Sequence, residues 1–192
     1  KYQQMYWGLD SKLKILRIDI DPEEINRIAS PHIGIVADAG TALKTILPAI
    51  ERHIGKRPSR KEELTKLKSE FQQAFREKIK PQYEFLKVIR EELPNDGFFV
   101  DEVTQVGFAS WYAFPAYHPR HFISAGYQGT LGYGYATALG VQAAHPDRKV
   151  ISISGDGGFL YNLQELATAV QYGLEVVVIV FNDRKFSNVQ RQ

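Results

Sequence analysis

Residues 150–181 constrain the fold more than any other part of the sequence, because two apolar stretches flank a helical pattern. Val150 to Ser154 is short and rich in β-branched residues, and Val176 to Phe181 is continuously apolar. Gly173 stands where a helix between them would end. This arrangement predicts a strand–helix–strand unit with parallel strands, the second buried on both faces. The apolar residues that recur at helical spacing between the strands are Leu163, Leu166, Ala167 and Val170.

Polar residues follow both predicted strands directly. Gly155-Asp156-Gly157-Gly158 comes after the first strand and Asn182-Asp183 after the second. Because loops that leave parallel strands emerge at the same edge of a sheet, we expect Asp156 and Asn182-Asp183 to be neighbours. Glycines allow backbone N–H groups to approach an anion, and the start of the following helix adds favourable partial charge. Carboxylate and carbonyl oxygens beside an anion pocket suit Mg²⁺.

The start of the helix in this unit is predicted from a pair of polar residues. Asn162 and Glu165 have the spacing of an N-cap and capping box. The sequence contains neither Gly-x-Gly-x-x-Gly nor Gly-x-x-x-x-Gly-Lys, so it has no dinucleotide fingerprint and no Walker loop.

The first 50 residues are interpreted as the end of a separate α/β domain. Leu13 to Ile20 alternates apolar and polar residues and runs into Asp21-Pro22, where proline after a capping acid predicts a helix. His32 to Val36 is a second apolar run, and Ala39 to Ile50 has helical periodicity.

Residues 51–81 are rich in charged residues and are interpreted as a linker with one amphipathic helix. Residues 82–192 form a second predicted α/β domain, which is incomplete at its C-terminal end. It begins with a helix from Tyr83 to Leu93 and a strand from Phe98 to Val103. Residues 104–122 are aromatic and proline-rich, and we expect an ordered loop or a short helix there.

Composition narrows the classes of function. Lys and Arg total 24 against 22 Asp and Glu, a net charge of +2, which does not favour a nucleic-acid partner. The chain has no cysteine, so disulfides and thiolate metal sites are excluded. The longest apolar run is too short to span a bilayer, so we expect no membrane association and a cytoplasmic location. Since the sequence begins at Lys1 and stops soon after a strand, it is interpreted as a fragment.

The motif around the two predicted strands resembles that of a known family. Gly155-Asp156-Gly157, a helix, an apolar strand and Asn182-Asp183 look like the thiamine-diphosphate motif, Gly-Asp-Gly followed by Asn-Asn. The group with this arrangement includes acetolactate synthase and benzoylformate decarboxylase. Ile18-Asp19-Ile20-Asp21-Pro22 resembles the end of that group's middle domain. The resemblance implies a parallel sheet flanked by helices, the thiamine-diphosphate-binding fold.

The resemblance also implies roles for individual residues. Asp156 and Asp183 would bind Mg²⁺ through their side chains and Lys185 through its backbone carbonyl. Leu131 would be the apolar wedge between the two rings of thiamine diphosphate, and the backbone of Gly129 would accept a hydrogen bond from its aminopyrimidine. The residues expected near the diphosphate are Thr104, Gln105, Gly155, Gly157 and Gly158.

Two of these assignments have a competing explanation. Leu131 could be an ordinary core residue, and the glycines at 126, 129, 132 and 134 could simply permit tight packing of a turn against a helix. The chain also departs from the family at Asp183, where Asn is usual. A second carboxylate adds negative charge beside a diphosphate, which Mg²⁺ and Arg184 or Lys185 would have to offset.

The activity implied by the resemblance is decarboxylation of a 2-oxo acid, carboligation of the resulting enamine, or both. In that family the enzyme is a homodimer or homotetramer, and a glutamate on the N-terminal domain of a partner subunit activates the cofactor. The tail from Phe186 to Arg191 is not the pattern of acetolactate synthases, so decarboxylase and ligase both remain open. The sequence is also compatible with a regulatory or assembly homologue without catalysis and with a different magnesium–phosphate enzyme.

Overall fold

A computed structural model of the protein describes residues 12–27, 29–55, 57–185 and Gln190. These residues fall into two compact units, which divide between Lys61 and Glu62. The tail from Phe186 to Arg191, discussed above, lies outside the described residues apart from Gln190. No helix in the described part of the chain is both long and apolar enough to cross a membrane.

The first unit contains two short parallel strands and a helix. Strands β1 (Leu16–Asp19) and β2 (Ile33–Val36) pair in register, Leu16 with Ile33, and helix α1 spans Ala39–His53. Asp38 caps α1, because its side chain accepts the N–H of Thr41 at 2.9 Å.

The helix predicted after Asp21 does not form, and the prediction was wrong there. Residues 21–27 make turns instead. The side chain of Asp19 accepts the N–H of Asp21, and that of Asp21 accepts the N–H of Glu23 at 2.9 Å. Such local bonds compete with helical hydrogen bonds, which explains why proline after an acid does not start a helix here.

The second unit is a parallel sheet of four strands. Strands β3 (Phe98–Val100), β4 (Phe122–Ile123), β5 (Val150–Gly155) and β6 (Val176–Phe181) lie in the order β4-β3-β5-β6. All pairs are parallel. The unit's helices are α2 (Lys61–Lys78), α3 (Gln82–Glu92), α4 (Gln105–Ala113), α5 (Tyr133–Ala144), α6 (Asp156–Leu160) and α7 (Leu166–Tyr172).

Alternation along the central strands places apolar side chains on both faces of the sheet. On one face, Phe99, Ile151 and Ile153 pack with buried residues of α3 and α4. On the other face, Phe98, Val100 and Val150 pack with Ala138 of α5. This confirms the predicted fold class, helices flanking a parallel sheet.

Two details of the predicted strand–helix–strand unit are wrong. Val177 and Val180 of β6 are 54% and 39% exposed, because β6 is the edge strand of the sheet in the described part of the chain. The helix predicted after Asn162 begins as a 3₁₀ turn at Leu163–Glu165 and continues as α7, and a separate short helix, α6, forms in the glycine-rich segment before it.

The capping box predicted for that helix is also absent. The side-chain amide of Asn162 donates to the carbonyl of Gly132, and the carboxylate of Glu165 accepts from the Thr168 hydroxyl at 2.6 Å. Neither side chain caps a helix, because Asn162 is used to join α6 to the start of α5. Gly173 does end α7 in the left-handed conformation, with φ of 63°.

Helix α2 is the amphipathic helix predicted for residues 51–81, although none of its residues is buried. Its Phe75 ring stacks on Tyr112 at 5.5 Å, and Arg76 forms an ion pair with Glu84 at 2.7 Å. The domain limits proposed from the sequence, 1–50, 51–81 and 82–192, remain a prediction.

Candidate functional site

The pairing of β5 and β6 builds the polar end of the site. Gly155 and Phe181 are Cα partners, so Asp156 and Asn182 leave the sheet at the same edge. Neighbouring strands lie about 4.8 Å apart, which makes these residues and Asp183 neighbours, as the sequence predicted. Two strand ends thus bring carboxylate and amide oxygens together.

Local hydrogen bonds orient these side chains. The Asp156 carboxylate accepts the N–H of Gly157 at 2.9 Å, and the Asp183 carboxylate accepts the N–H of Lys185 at 3.2 Å. Asn182 accepts the N–H of Arg184 at 2.9 Å, and Arg184 has a positive φ of 59°. An ionised carboxylate can accept at both oxygens, so these turn bonds are compatible with a cation ligand role.

A cleft of about 740 Å³ opens at this edge of the sheet. Every site residue predicted from the sequence lines it: Thr104, Gln105, Gly129, Leu131, Gly155, Asp156, Gly157, Gly158, Asp183 and Lys185. The structure therefore brings together segments that are far apart in the sequence. This shared cleft does not by itself assign a role to any of these residues.

The N-terminus of helix α4 provides a partial positive charge beside the cleft, a role that the sequence analysis gave to a different helix. Thr104 is its N-cap residue and Gln105 its first residue, and both line the cleft. The first N–H groups of a helix carry partial positive charge, which favours an anion. The helix to which this role was assigned from the sequence begins only at the 3₁₀ turn after Asn162, and the five-residue α6 that the glycines form is too short to contribute as much.

The glycines after β4 serve two different purposes. Gly126 and Gly129 have positive φ, and a side chain at either would meet nothing within 4 Å. Gly132 and Gly134 instead lie in tight packing, where an added Cβ would come within 2.7 Å of Tyr161 and 2.9 Å of Glu102, respectively. Tight packing therefore explains the glycine at 132 and at 134, but not at 126 or 129.

Leu131 lies between these two pairs of glycines and is partly exposed in the cleft. It belongs to neither of the two buried hydrophobic clusters of the sheet. The interpretation of Leu131 as an ordinary core residue therefore loses support.

Sequence reasoning missed the apolar wall of the cleft. Phe85 from α3 and Phe181 from β6 contact each other with ring centroids 5.3 Å apart, and Phe108 comes from α4. Phe85 is adjacent to the buried Leu86 but is itself 44% exposed. Helical periodicity could have separated these two faces of α3, although it could not have shown that Phe85 faces a cleft.

Two buried acids at the end of β3 were missed as well. Asp101 and Glu102 are each 2% exposed. Burial raises the pKa of Asp101 to about 6, although hydrogen bonds from Trp111 and Ser124 and from the backbone of Ala125 act in the opposite direction. The signal in the sequence was two consecutive acids directly after the apolar run Phe98-Phe99-Val100, where buried charge needs partners.

The donor set fits a magnesium ion held jointly with a diphosphate. Two carboxylates and an amide offer hard oxygen ligands, and Mg²⁺ is usually held by one or two acids plus phosphate oxygens. Within the described residues, no group of three or more His, Asp or Glu side chains forms a metal site without such help.

Part of the chain matches the model of a known family. Residues 102–192 match the model of the thiamine pyrophosphate enzyme, C-terminal TPP binding domain. Thiamine pyrophosphate is another name for thiamine diphosphate. The match begins at Glu102 and covers the whole cleft edge formed by β5 and β6.

Large subunits named as acetolactate synthases match over most of this chain. The large subunit of acetolactate synthase isozyme 1 of Escherichia coli is 31% identical over 181 residues, which are 93% of this chain and 32% of that subunit. A probable acetolactate synthase large subunit of Methanocaldococcus jannaschii is 38% identical over 186 residues, 92% of this chain and 31% of that protein. The chain thus spans about a third of the length of the curated relatives it matches.

A solved structure shares the fold. The thiamine diphosphate-dependent 4-hydroxybenzoylformate decarboxylase of Rhodococcus jostii superposes with a TM-score of 0.65 at 22% identity, covering 93% of this chain and 32% of that one.

Proposed function

We propose that this chain, whose residues 102–192 match the C-terminal TPP binding domain of thiamine pyrophosphate enzymes, belongs to that family and binds thiamine diphosphate and Mg²⁺ in the cleft at the carboxyl edge of β5 and β6. The observation that carries the proposal is the pairing of Gly155 with Phe181, which puts Asp156 beside the Asn182-Asp183 turn. The glycine-rich start of α6 and the N-terminus of α4 open on the same cleft.

The polar end of the cleft is proposed to hold the metal and the diphosphate. Asp156 and Asp183 would bind Mg²⁺ through carboxylate oxygens and Lys185 through its backbone carbonyl. The backbone of Gly155, Gly157 and Gly158 would face the diphosphate, together with Thr104 and Gln105. Their N–H groups suit an anion, and the metal ion offsets the charge that two carboxylates add.

The other end of the cleft is proposed to hold the rings of the cofactor. Leu131 would pack between them, and the carbonyl of Gly129 would accept a hydrogen bond from the aminopyrimidine. Gly129 is in the left-handed conformation, with φ of 56°, which sets the direction of its peptide groups relative to Leu131. The phenylalanines of the apolar wall would reduce the access of water to the cleft.

The whole protein is proposed to act on 2-oxo acids, with decarboxylation, carboligation or both. When bound, thiamine diphosphate would supply the nucleophilic carbon and the electron-accepting ring that decarboxylation of a 2-oxo acid requires. The residues of this chain bind and orient that cofactor. The names of the relatives support both outcomes, since they include acetolactate synthases and a 4-hydroxybenzoylformate decarboxylase.

The residue that activates the cofactor is proposed to come from another part of the protein. No general base is assigned to the described residues of this chain. By its resemblance to the family, a glutamate on the N-terminal domain of a partner subunit would complete the site in a homodimer or homotetramer.

Thermal unfolding tests the proposed cofactor. Thiamine diphosphate with Mg²⁺ is expected to raise the melting temperature by roughly 5 to 10 °C at a hundredfold excess over Kd, and EDTA should remove the effect. ATP and NAD with Mg²⁺ are the controls and should give no shift. A shift with ATP alone would favour a different magnesium–phosphate enzyme. Binding without turnover of any 2-oxo acid by the whole protein would favour a non-catalytic homologue.

A further inference from the structure

Glu102 lies where three segments of the cleft meet. One oxygen of its carboxylate accepts the N–H of Gly132, and the other accepts the hydroxyl of Ser154 at 2.5 Å. Its backbone carbonyl accepts the N–H of Thr104 at 2.8 Å. The side chain is buried and does not line the cleft itself.

Each partner of Glu102 is a cleft residue or adjoins one. Gly132 directly follows Leu131, and Ser154 directly precedes Gly155. Thr104 is the N-cap of α4. One residue therefore fixes the start of α4, the turn that carries Leu131 and the strand end that carries Asp156, although Gly132 and Ser154 are 30 and 52 residues away in the sequence.

Three glycines pack closely against Glu102. A Cβ added at Gly158 would lie 2.7 Å from one carboxylate oxygen, and a Cβ added at Gly134 would lie 2.9 Å from the other. A Cβ at Gly107 would lie 1.9 Å from the backbone carbonyl oxygen of Glu102. Because these three positions are glycine, α4, α5 and α6 all approach the same acid closely.

From this geometry we infer that Glu102 is a positioning residue for thiamine diphosphate. From its buried place outside the cleft, it holds the segments that face the diphosphate at a fixed distance from the segment that faces the cofactor rings. The inference rests on the proposed function. It concerns hydrogen-bond geometry and not charge at the cofactor.

Ser154→Ala tests the inference with a matched control in the same strand. Ser152 and Ser154 are both fully buried in β5 and point to the same face, but the hydroxyl of Ser152 has no partner among the described residues. Ser154→Ala should weaken thiamine diphosphate binding about tenfold by titration calorimetry with Mg²⁺, since hydrogen bonds to charged groups are strong. Ser152→Ala should leave Kd within about twofold, because no hydrogen bond is lost.

Substitutions of Glu102 separate geometry from charge. In Glu102→Gln, the amide oxygen can accept from Gly132, while the NH₂ donates to Ser154, whose hydroxyl can turn toward the carbonyl of Gly155, 3.3 Å away. We expect Kd within about threefold of wild type. Glu102→Asp is one methylene too short to reach both donors and should weaken binding about tenfold or more.

Hydrogen exchange of the cofactor-free protein gives a second readout, which does not depend on catalysis. Peptides covering residues 129–134 should exchange at least about tenfold faster in Glu102→Asp than in wild type, because the Gly132 amide loses its acceptor. Peptides from α3 should be unchanged. If Glu102→Asp fails to fold, Ser154→Ala with its control still decides the matter.

The results distinguish two failures. If wild type binds thiamine diphosphate and Ser154→Ala and Glu102→Asp bind it equally well, the positioning role is overturned and the proposed function stands. The same role is overturned if Glu102→Gln is as weak as Glu102→Asp, since charge and not geometry would then matter. If wild type and Ser152→Ala both fail to bind, the proposed function itself is wrong and the inference falls with it.

Discussion

Gly155 and Phe181 are the last Cα partners of β5 and β6, so the two chain segments leave the sheet side by side. The next residues along each segment are Asp156 and Asn182, followed by Asp183. A magnesium site at this edge needs both loops, since neither loop carries enough oxygen ligands to hold the ion by itself.

We expect Asp156→Ala to remove magnesium-dependent binding of thiamine diphosphate. Loss of a metal ligand should raise Kd at least ~100-fold, or about 2.7 kcal/mol, by titration calorimetry. The side chain is partly exposed, so the melting temperature without cofactor should change little. Asp147→Ala, an exposed acid just before the opposite end of β5, is the control. An unchanged Kd in Asp156→Ala would contradict its role as a ligand.

Asp183 stands where the family usually has Asn, and two substitutions test its role. Asp183→Asn keeps an oxygen ligand and removes a negative charge near the diphosphate, so activity should persist and affinity for thiamine diphosphate should hold or rise. Affinity for Mg²⁺ should fall by about tenfold, or ~1.4 kcal/mol. Asp183→Ala should be far worse, because it deletes the ligand. If Asp183→Ala matches wild type in both affinities, Asp183 does not contact the metal.

Leu131→Ala should reduce turnover more than cofactor affinity. Without the wedge the rings of the cofactor are held less well, and a displacement of about 1 Å costs on the order of 10²-fold in rate. Leu131→Met keeps the apolar bulk and should stay near wild type. The measurements are kcat of the whole protein and Kd for thiamine diphosphate. Equal kcat in the two variants would show that Leu131 does not orient the cofactor.

Asp101 should make folding stability depend on pH. Its pKa is raised to about 6 in the folded protein from an ordinary value of 3.8, so the folded state binds the proton more tightly than the unfolded state. Asp101 therefore contributes on the order of 2 to 3 kcal/mol to the free energy of unfolding below about pH 4. This contribution is lost as the pH rises through about 6. Urea unfolding between about pH 4 and 7.5 should show this decline in wild type and a flatter profile in Asp101→Asn. Equal slopes in both proteins would assign the effect to other groups.

The 192-residue chain by itself should release no CO₂ from any 2-oxo acid. The chain spans about a third of the length of its relatives, and the resemblance to the family implies that the activating glutamate lies on the N-terminal domain of a partner subunit. The assay compares the purified chain with thiamine diphosphate and Mg²⁺ alone. CO₂ release above that background would mean that this chain contains its own activating group.

Local patterns in the sequence were sufficient to predict the parallel sheet and its polar edge. The run from Val176 to Phe181 is a strong signal because β-branched residues favour strands. The glycines after Ser154 are a second strong signal, because glycine lets a ligand approach the backbone closely. The exposure of Val177 could not be predicted in the same way. It depends on β6 being an edge strand, and a continuous apolar run looks the same at an edge and in the centre of a sheet.

The role of Glu102 could not be predicted from local pattern either. The sequence placed it inside a strand predicted to reach Val103, whereas β3 ends at Val100. Its partners, Gly132 and Ser154, are distant in the sequence, and only the packing of α5 against β3 and β5 brings them to it. Asn162 was misassigned for the same reason, since its partner is the carbonyl of Gly132 and not a helix N–H.

The packing of Gly158 and Gly134 against Glu102 also sets an order in which this site can evolve. A methyl group at either glycine would overlap the Glu102 carboxylate, and a shorter acid at position 102 would relieve that contact. A lineage that acquires alanine at 158 first has to displace the buried carboxylate, whereas one that first acquires aspartate at 102 loses hydrogen bonds to Gly132 and Ser154 instead. Substitutions at these three positions are therefore expected to be epistatic, so their effects on fitness depend on the sequence in which they arise.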